Sequence, residues 1–97
     1  MTDGEKAIMQ KAIQHYGETT EIIVCIEELS ELTKELTKHL RDNEHSVYGI
    51  IEEAADVSIV LDEIKLIFGS AGIESVRAEK LKRLEGRIDN DMLHRMG

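Results

Sequence analysis

The chain has 97 residues, a length that fits one domain, because independent domains run from about 50 to 250 residues. It carries 12 Lys and Arg against 20 Asp and Glu, so its formal net charge is −8 at pH 7. This charge argues against a partner such as nucleic acid or an anionic membrane, whose phosphates are neutralised by basic side chains. No apolar run approaches the roughly 20 residues that cross a bilayer, and the single cysteine has no partner for an internal disulfide. We therefore expect one cytoplasmic domain over residues 1–97.

The composition favours helices. The chain has no proline and only three aromatic residues, and a third of its residues are charged. Its core must therefore be built from Ile, Leu, Val and Ala, which suits the packing of helix on helix better than a sheet sandwich. We predict an all-α fold.

Glycines and polar clusters divide the chain into four helical segments, of which the first two precede the central loop. The first helix, about 4–16, begins at a capping box formed by Thr2 and Glu5, and Gly17 is suited to end it. The second helix covers about 19–41. Apolar residues recur along it at steps of four and three and predict a seam for helix packing. The seam consists of Ile22, Ile26, Leu29, Leu36 and Leu40, with Thr33 in the same line and with Ile23, Cys25 and Leu32 broadening it.

The polar stretch 41–46 predicts a loop, and two more helices follow it. The third helix covers about 46–68 and ends at Gly69; the fourth covers about 73–90, and the last residues are expected to fray. Short connections make consecutive helices antiparallel, so the second and third should form a hairpin. Their apolar seam exceeds what the flanking helices can cover. We therefore expect an oligomer with a four-helix-bundle core built from two hairpins.

The most informative feature is a carboxylate motif that occurs twice. Residues 26–32 read Ile-Glu-Glu-Leu-Ser-Glu-Leu, and residues 51–57 read Ile-Glu-Glu-Ala-Ala-Asp-Val. In each copy the second Glu and the last acidic residue are three positions apart, so their side chains share one face of the helix. These two pairs are Glu28 with Glu31 and Glu53 with Asp56.

The predicted hairpin brings the two pairs to one level. If the turn is centred near Asp42, Glu28 lies opposite Asp56 and Glu31 lies opposite Glu53. Four carboxylates this close repel each other, and a bound cation would relieve the repulsion. Oxygen ligands without His or Cys suit Mg²⁺ first and Mn²⁺ next. The spacing therefore predicts a site for a hard divalent cation.

These residues resemble a known signature. Glu27-Glu28-x-x-Glu31, 21 intervening residues and then Glu53-x-x-Asp56 look like the motif of the MazG-like all-α nucleoside triphosphate pyrophosphohydrolases, over roughly residues 18–70. The resemblance implies Mg²⁺-dependent hydrolysis between the α- and β-phosphates by a homodimer or homotetramer, giving a nucleoside monophosphate and pyrophosphate. By position, Glu28, Glu31, Glu53 and Asp56 would be the metal ligands. Glu27 would assist, as a partner of a ligand or as the base for the attacking water.

Other residues are candidates for contacts with a substrate. Three basic residues of the fourth helix share one face, as a triphosphate clamp would require: Lys80, Arg83 and Arg87. The alternative for them is a solvated face that pairs with nearby Glu residues. Tyr48 has the ring to stack on a base, although tyrosines at helix edges more often pack on the core. Glu35 and Glu63 are further candidates for the surroundings of the metal.

Two functions of different classes fit the sequence. The first is the Mg²⁺-dependent nucleotide pyrophosphohydrolase. The second is a non-enzymatic, acidic oligomerisation or adaptor module whose apolar seam binds partner helices. An adaptor needs the seam but has no use for carboxylates aligned at one level of a hairpin, so the repeated motif favours the enzyme.

Overall fold

The computed structural model describes residues 1–42 and 47–96, apart from the side chain of Met96. Every element in these ranges is an α-helix, which confirms the all-α prediction. The helices are α1 (Asp3–Tyr16), α2 (Glu18–Arg41), α3 (Tyr48–Phe68) and α4 (Ser70–Met96). Residues 43–46 of the predicted loop lie outside the described residues, and so does the predicted start of the third helix at about 46. None of the described helices combines the length and the apolar character needed to cross a bilayer.

The start and the end of α1 follow the prediction. The Glu5 amide donates to the Thr2 hydroxyl at 3.1 Å, and the Thr2 amide donates to the Glu5 carboxylate at 2.7 Å, which completes the capping box. The helix ends at Gly17, whose φ of +93° is a conformation that residues with a Cβ rarely adopt. α1 packs across both α2 and α3 and buries Met9 against them.

α2 and α3 form an antiparallel pair that carries most of the packing in the chain. Near the loop, the Glu35 carboxylate lies against Gly49, where a Cβ would be only 2.5 Å from Oε2. At the other end of the pair, Glu21 and Glu63 are both buried and lie close enough to interact. Both contacts agree with a turn centred near Asp42. They fix the register that places the repeated motifs beside each other.

The residues of α2 that face α3 are not the central line of the predicted seam. The facing line consists of Glu21, Cys25, Glu28, Leu32 and Glu35, all buried or half-buried. Most of the predicted seam points outward: Ile26 is 59% exposed and Leu40 is 84% exposed, and Leu29 and Leu36 are exposed as well. The spacing of four and three is the same in both lines, which differ by about 100° around the helix. Of the predicted seam, Cys25 and Leu32, which were expected to broaden it, lie on the face towards α3, whereas its central line does not.

α4 is longer than predicted and stands away from the other helices. It begins at Ser70 and continues to Met96, so the predicted bounds of about 73 and 90 were wrong. Lys65 Nζ lies 2.7 Å from Glu74 Oε1 and 3.5 Å from Asp62 Oδ1, and this ion pair ties α4 to α3. From Glu74 to Arg95 every residue of α4 is exposed. α4 thus projects as an arm with its apolar residues uncovered.

Candidate metal centre

Three carboxylates meet where the two copies of the motif face each other. Glu28 comes from the middle of α2, and Glu53 and Asp56 come from successive turns of α3. One oxygen from each lies within 4.8 Å of the other two. Glu28 and Glu53 are half-buried between the helices. The three groups are well inside their helices, so packing of the helix pair holds their relative positions.

The carboxyl group of Glu53 is the centre of this cluster. Burial raises its pKa to about 7, and three neighbouring carboxylates add to the effect: Glu28 through a hydrogen bond and its charge, then Asp56 and Glu31 through their charges. A hydrogen bond between two carboxyl groups requires that one of them carries a proton. Below this pH Glu53 holds a proton, which lowers the negative charge of the cluster.

An unsatisfied atom makes the cluster a candidate for holding a cation. Oε2 of Glu53 is buried and has no hydrogen-bond partner among the described residues, a costly state for a carboxylate oxygen. A divalent ion among the three groups would satisfy this oxygen and replace the proton. The donors are all carboxylate oxygens, which are the ligands of Mg²⁺ and Mn²⁺ rather than of softer metals.

Two predicted members of the site lie at its margin. Glu31 is exposed and is not among the three converging carboxylates, although its charge contributes to the raised pKa of Glu53. Glu27 is also exposed, on the turn of α2 that carries Glu28. The structure thus brings together three of the four predicted ligands and leaves Glu31 and Glu27 exposed outside this group.

The predicted substrate contacts are separated from the carboxylates. Tyr48 is exposed at the first position of α3, five residues before Glu53, or roughly 7.5 Å along the helix axis. Lys80, Arg83 and Arg87 are exposed on α4. Among the described residues, α4 packs only on α3 of its own chain. Within one chain, these basic residues are not brought to the cluster.

Sequence reasoning missed a second carboxylate pair. Glu63 was expected near the metal, but it lies seven residues beyond Asp56, about 10 Å along α3, and close enough to Glu21 to interact with it. Burial is the main cause that raises the pKa of Glu63 to about 7, followed by the hydrogen bond and the charge of Glu21. The hairpin register would have revealed this pair, because a turn near Asp42 places Glu21 opposite Glu63.

Comparison of the chain with known protein families, with characterised proteins and with solved structures finds no match.

Proposed function

We propose that this protein is a Mg²⁺-dependent nucleoside triphosphate pyrophosphohydrolase. The observation that supports the proposal best is the convergence of Glu28, Glu53 and Asp56 around a buried carboxylate oxygen without a partner. The resemblance of their spacing to the MazG-like signature gives the reaction. Water attacks the α-phosphorus, the anhydride bond between the α- and β-phosphates breaks, and pyrophosphate leaves.

The roles follow from the positions of the carboxylates. Glu28, Glu53 and Asp56 would hold the cation, and Glu31, whose charge acts on Glu53, would join them when a substrate binds. A divalent cation in such a site neutralises charge on the phosphates and lowers the pKa of water. Glu27 is exposed on the same turn as Glu28, where it would accept the proton of the attacking water. Mn²⁺ is expected to substitute for Mg²⁺ because it takes the same ligands.

The dimensions of the chain support a homo-oligomer. The chain exposes 7694 Å², whereas a folded monomer of 11.0 kDa exposes about 5,600 Å². Its radius of gyration is 17.3 Å, against about 12.5 Å for a compact chain of this length. The excess of about 2,000 Å² is what one partner of an obligate dimer buries. We infer that a homodimer or homotetramer forms, with the exposed apolar face of α2 at its core.

An oligomer would also supply the substrate contacts. Since α4 packs only on α3 within its chain, Lys80, Arg83 and Arg87 would reach a triphosphate only from a second copy. The segment from Arg77 to Arg87 has five basic and two acidic residues. The described part of α2 and α3 is acidic, so the charges of the two regions are complementary. Tyr48 is a candidate to stack on the base.

One observation favours the adaptor as a second candidate function. The outward face of α2 carries Ile26, Leu29, Leu36 and Leu40 exposed in a single line, which suits the binding of partner helices. The adaptor leaves the convergence of three carboxylates at one level of the hairpin unexplained. The enzyme accounts for both features, because its oligomer would cover the same face.

The test of the proposal is pyrophosphate release from a mixture of nucleoside triphosphates with Mg²⁺. Wild type is compared with Glu53→Gln and with the neighbouring control Glu52→Gln, whose carboxylate is exposed and belongs to no cluster. We expect pyrophosphate and monophosphate from wild type and Glu52→Gln and loss of both from Glu53→Gln. Equal rates in all three proteins, or release of diphosphate and phosphate, would contradict the assignment.

A further inference from the structure

The end of the hairpin farthest from the loop contains a second pair of carboxylates. Glu21 is 6% exposed and Glu63 is 5% exposed, and they are the only charged residues that are buried in the described part of the chain. Glu21 precedes Glu28 by two helical turns, and Glu63 follows Asp56 by two turns. The pair therefore lies on the same packing line as the candidate metal centre, about 10 Å from it.

Neither α1 nor α2 contributes a buried basic side chain to the surroundings of this pair. α1 contributes the thioether side chain of Met9 to the buried region, and its charged residues are all exposed. On α2, the nearest titratable group on the facing line is Cys25, one turn from Glu21. Burial raises the pKa of its thiol, and the charge of Glu63 adds to this. Cys25 is thus a neutral neighbour.

The basic residue closest to the pair in sequence is already engaged. Lys65 follows Glu63 on α3, but its ammonium group pairs with Asp62 and, across to α4, with Glu74. Oε2 of Glu63 is buried and has no hydrogen-bond partner among the described residues. Two buried carboxylates without a counterion would be strongly unfavourable if both were ionised.

We propose that Glu21 and Glu63 share one buried proton, and that this proton holds the α1-facing end of the hairpin closed. One protonated carboxyl group donates to the other and removes one of the two charges. A cation does not fit in place of the proton. Mg²⁺ keeps several waters and takes near-octahedral ligands, whereas only two carboxylates meet here and neither is open to solvent.

The shared proton has a definite effect on stability. The folded state retains it up to a pH near 7, whereas an unfolded glutamate releases it near its ordinary pKa of 4.5. Between these values the folded state binds more protons than the unfolded state, so the stabilisation is complete below 4.5 and is lost as the pH rises. The folding equilibrium constant should fall by up to about tenfold per pH unit in this window.

Urea unfolding without metal, from pH 5 to pH 8, tests the proposal. The starting protein is Glu53→Gln, because this change removes the carboxyl group of the metal cluster whose pKa is raised and keeps the test independent of the proposed enzyme. We expect its stability to fall across the window. Adding Glu63→Gln or Glu21→Gln should flatten the fall, and adding Glu52→Gln as a control should leave it unchanged. Equal slopes in all four proteins would overturn the proposal.

A second measurement needs no further variant. In the Glu53→Gln protein, a carboxyl ¹³C NMR titration should give an apparent midpoint for Glu63 well above 4.5 and close to 7. An ordinary midpoint near 4.5 for Glu63 would refute the shared proton. So would a Mg²⁺-induced shift of the Glu63 carboxyl resonance, since the pair would then be a cation site.

Discussion

Replacing Glu53 by Gln should change the stability of the metal-free and metal-bound protein in opposite directions. Burial and the neighbouring carboxylates raise the pKa of Glu53 to about 7. Above this pH Glu53 is ionised, and its charge repels those of the other carboxylates. The proton on Glu53 stabilises the folded state. This stabilisation is complete below pH 4.5 and is lost as the pH rises to about 7. At pH 8 the metal-free Glu53→Gln protein should therefore melt at a higher temperature than wild type, and the difference should shrink at pH 5.5.

Mg²⁺ should reverse the order of the two melting temperatures, so that wild type melts above Glu53→Gln. A ligand that binds only the folded state at 100 times its dissociation constant adds about 2.7 kcal/mol. For 97 residues, the entropy of unfolding is about 0.2 kcal/mol per kelvin, so the gain raises the melting temperature by about 13 °C. The Glu53→Gln protein lacks a ligand and should keep little of this rise.

Thermal melts at pH 8, with and without Mg²⁺, measure both effects. Glu52→Gln is the control and should respond to Mg²⁺ as wild type does, since solvent and salt screen its exposed charge. An equal Mg²⁺-induced rise in wild type and Glu53→Gln would refute the reasoning, because the cluster would then contribute nothing to cation binding.

Three further predictions concern the packing of the helices. A Cβ at Gly49 would meet the Glu35 carboxylate. Gly49→Ala should therefore stabilise a Glu35→Ala protein by up to about 1 kcal/mol and should stabilise wild type by less. Equal gains in the two proteins, measured by urea unfolding, would contradict this. Lys65→Met removes the ion pair with Glu74 and should speed amide exchange in the first turns of α4, whereas unchanged exchange would show that other contacts hold α4. Leu36→Glu should shift sedimentation towards one 11.0 kDa chain, and an 11.0 kDa wild type at micromolar concentration would exclude the oligomer.

The sequence predicted the helices and the meeting of the motifs well. Capping by Thr2 and Glu5 and the positive φ of Gly17 are local effects, so sequence signals are sufficient for them. The convergence of Glu28, Glu53 and Asp56 depends only on helical spacing and on the position of the turn. Once the turn was placed near Asp42, the register followed.

The sequence pattern did not predict which face of α2 turns towards α3. Apolar periodicity predicted that Ile26 and Leu40 would lie in the seam, whereas Glu21 and Glu63 occupy the interior of the helix pair. A pattern of apolar residues does not distinguish a face that covers its own chain from a face that covers another. Buried carboxylates are costly and are not expected in a core unless a proton or a cation compensates them. The burial of Glu63 therefore became evident only from the packing.

Anomalous diffraction from a crystal soaked in Mn²⁺ tests the central claim most directly. The account predicts a peak bound by Glu28, Glu53 and Asp56, with Oε2 of Glu53 as one of its ligands, and no peak at the Glu21–Glu63 pair. The absence of a peak at the three carboxylates, or its presence only at the buried pair, would contradict the account.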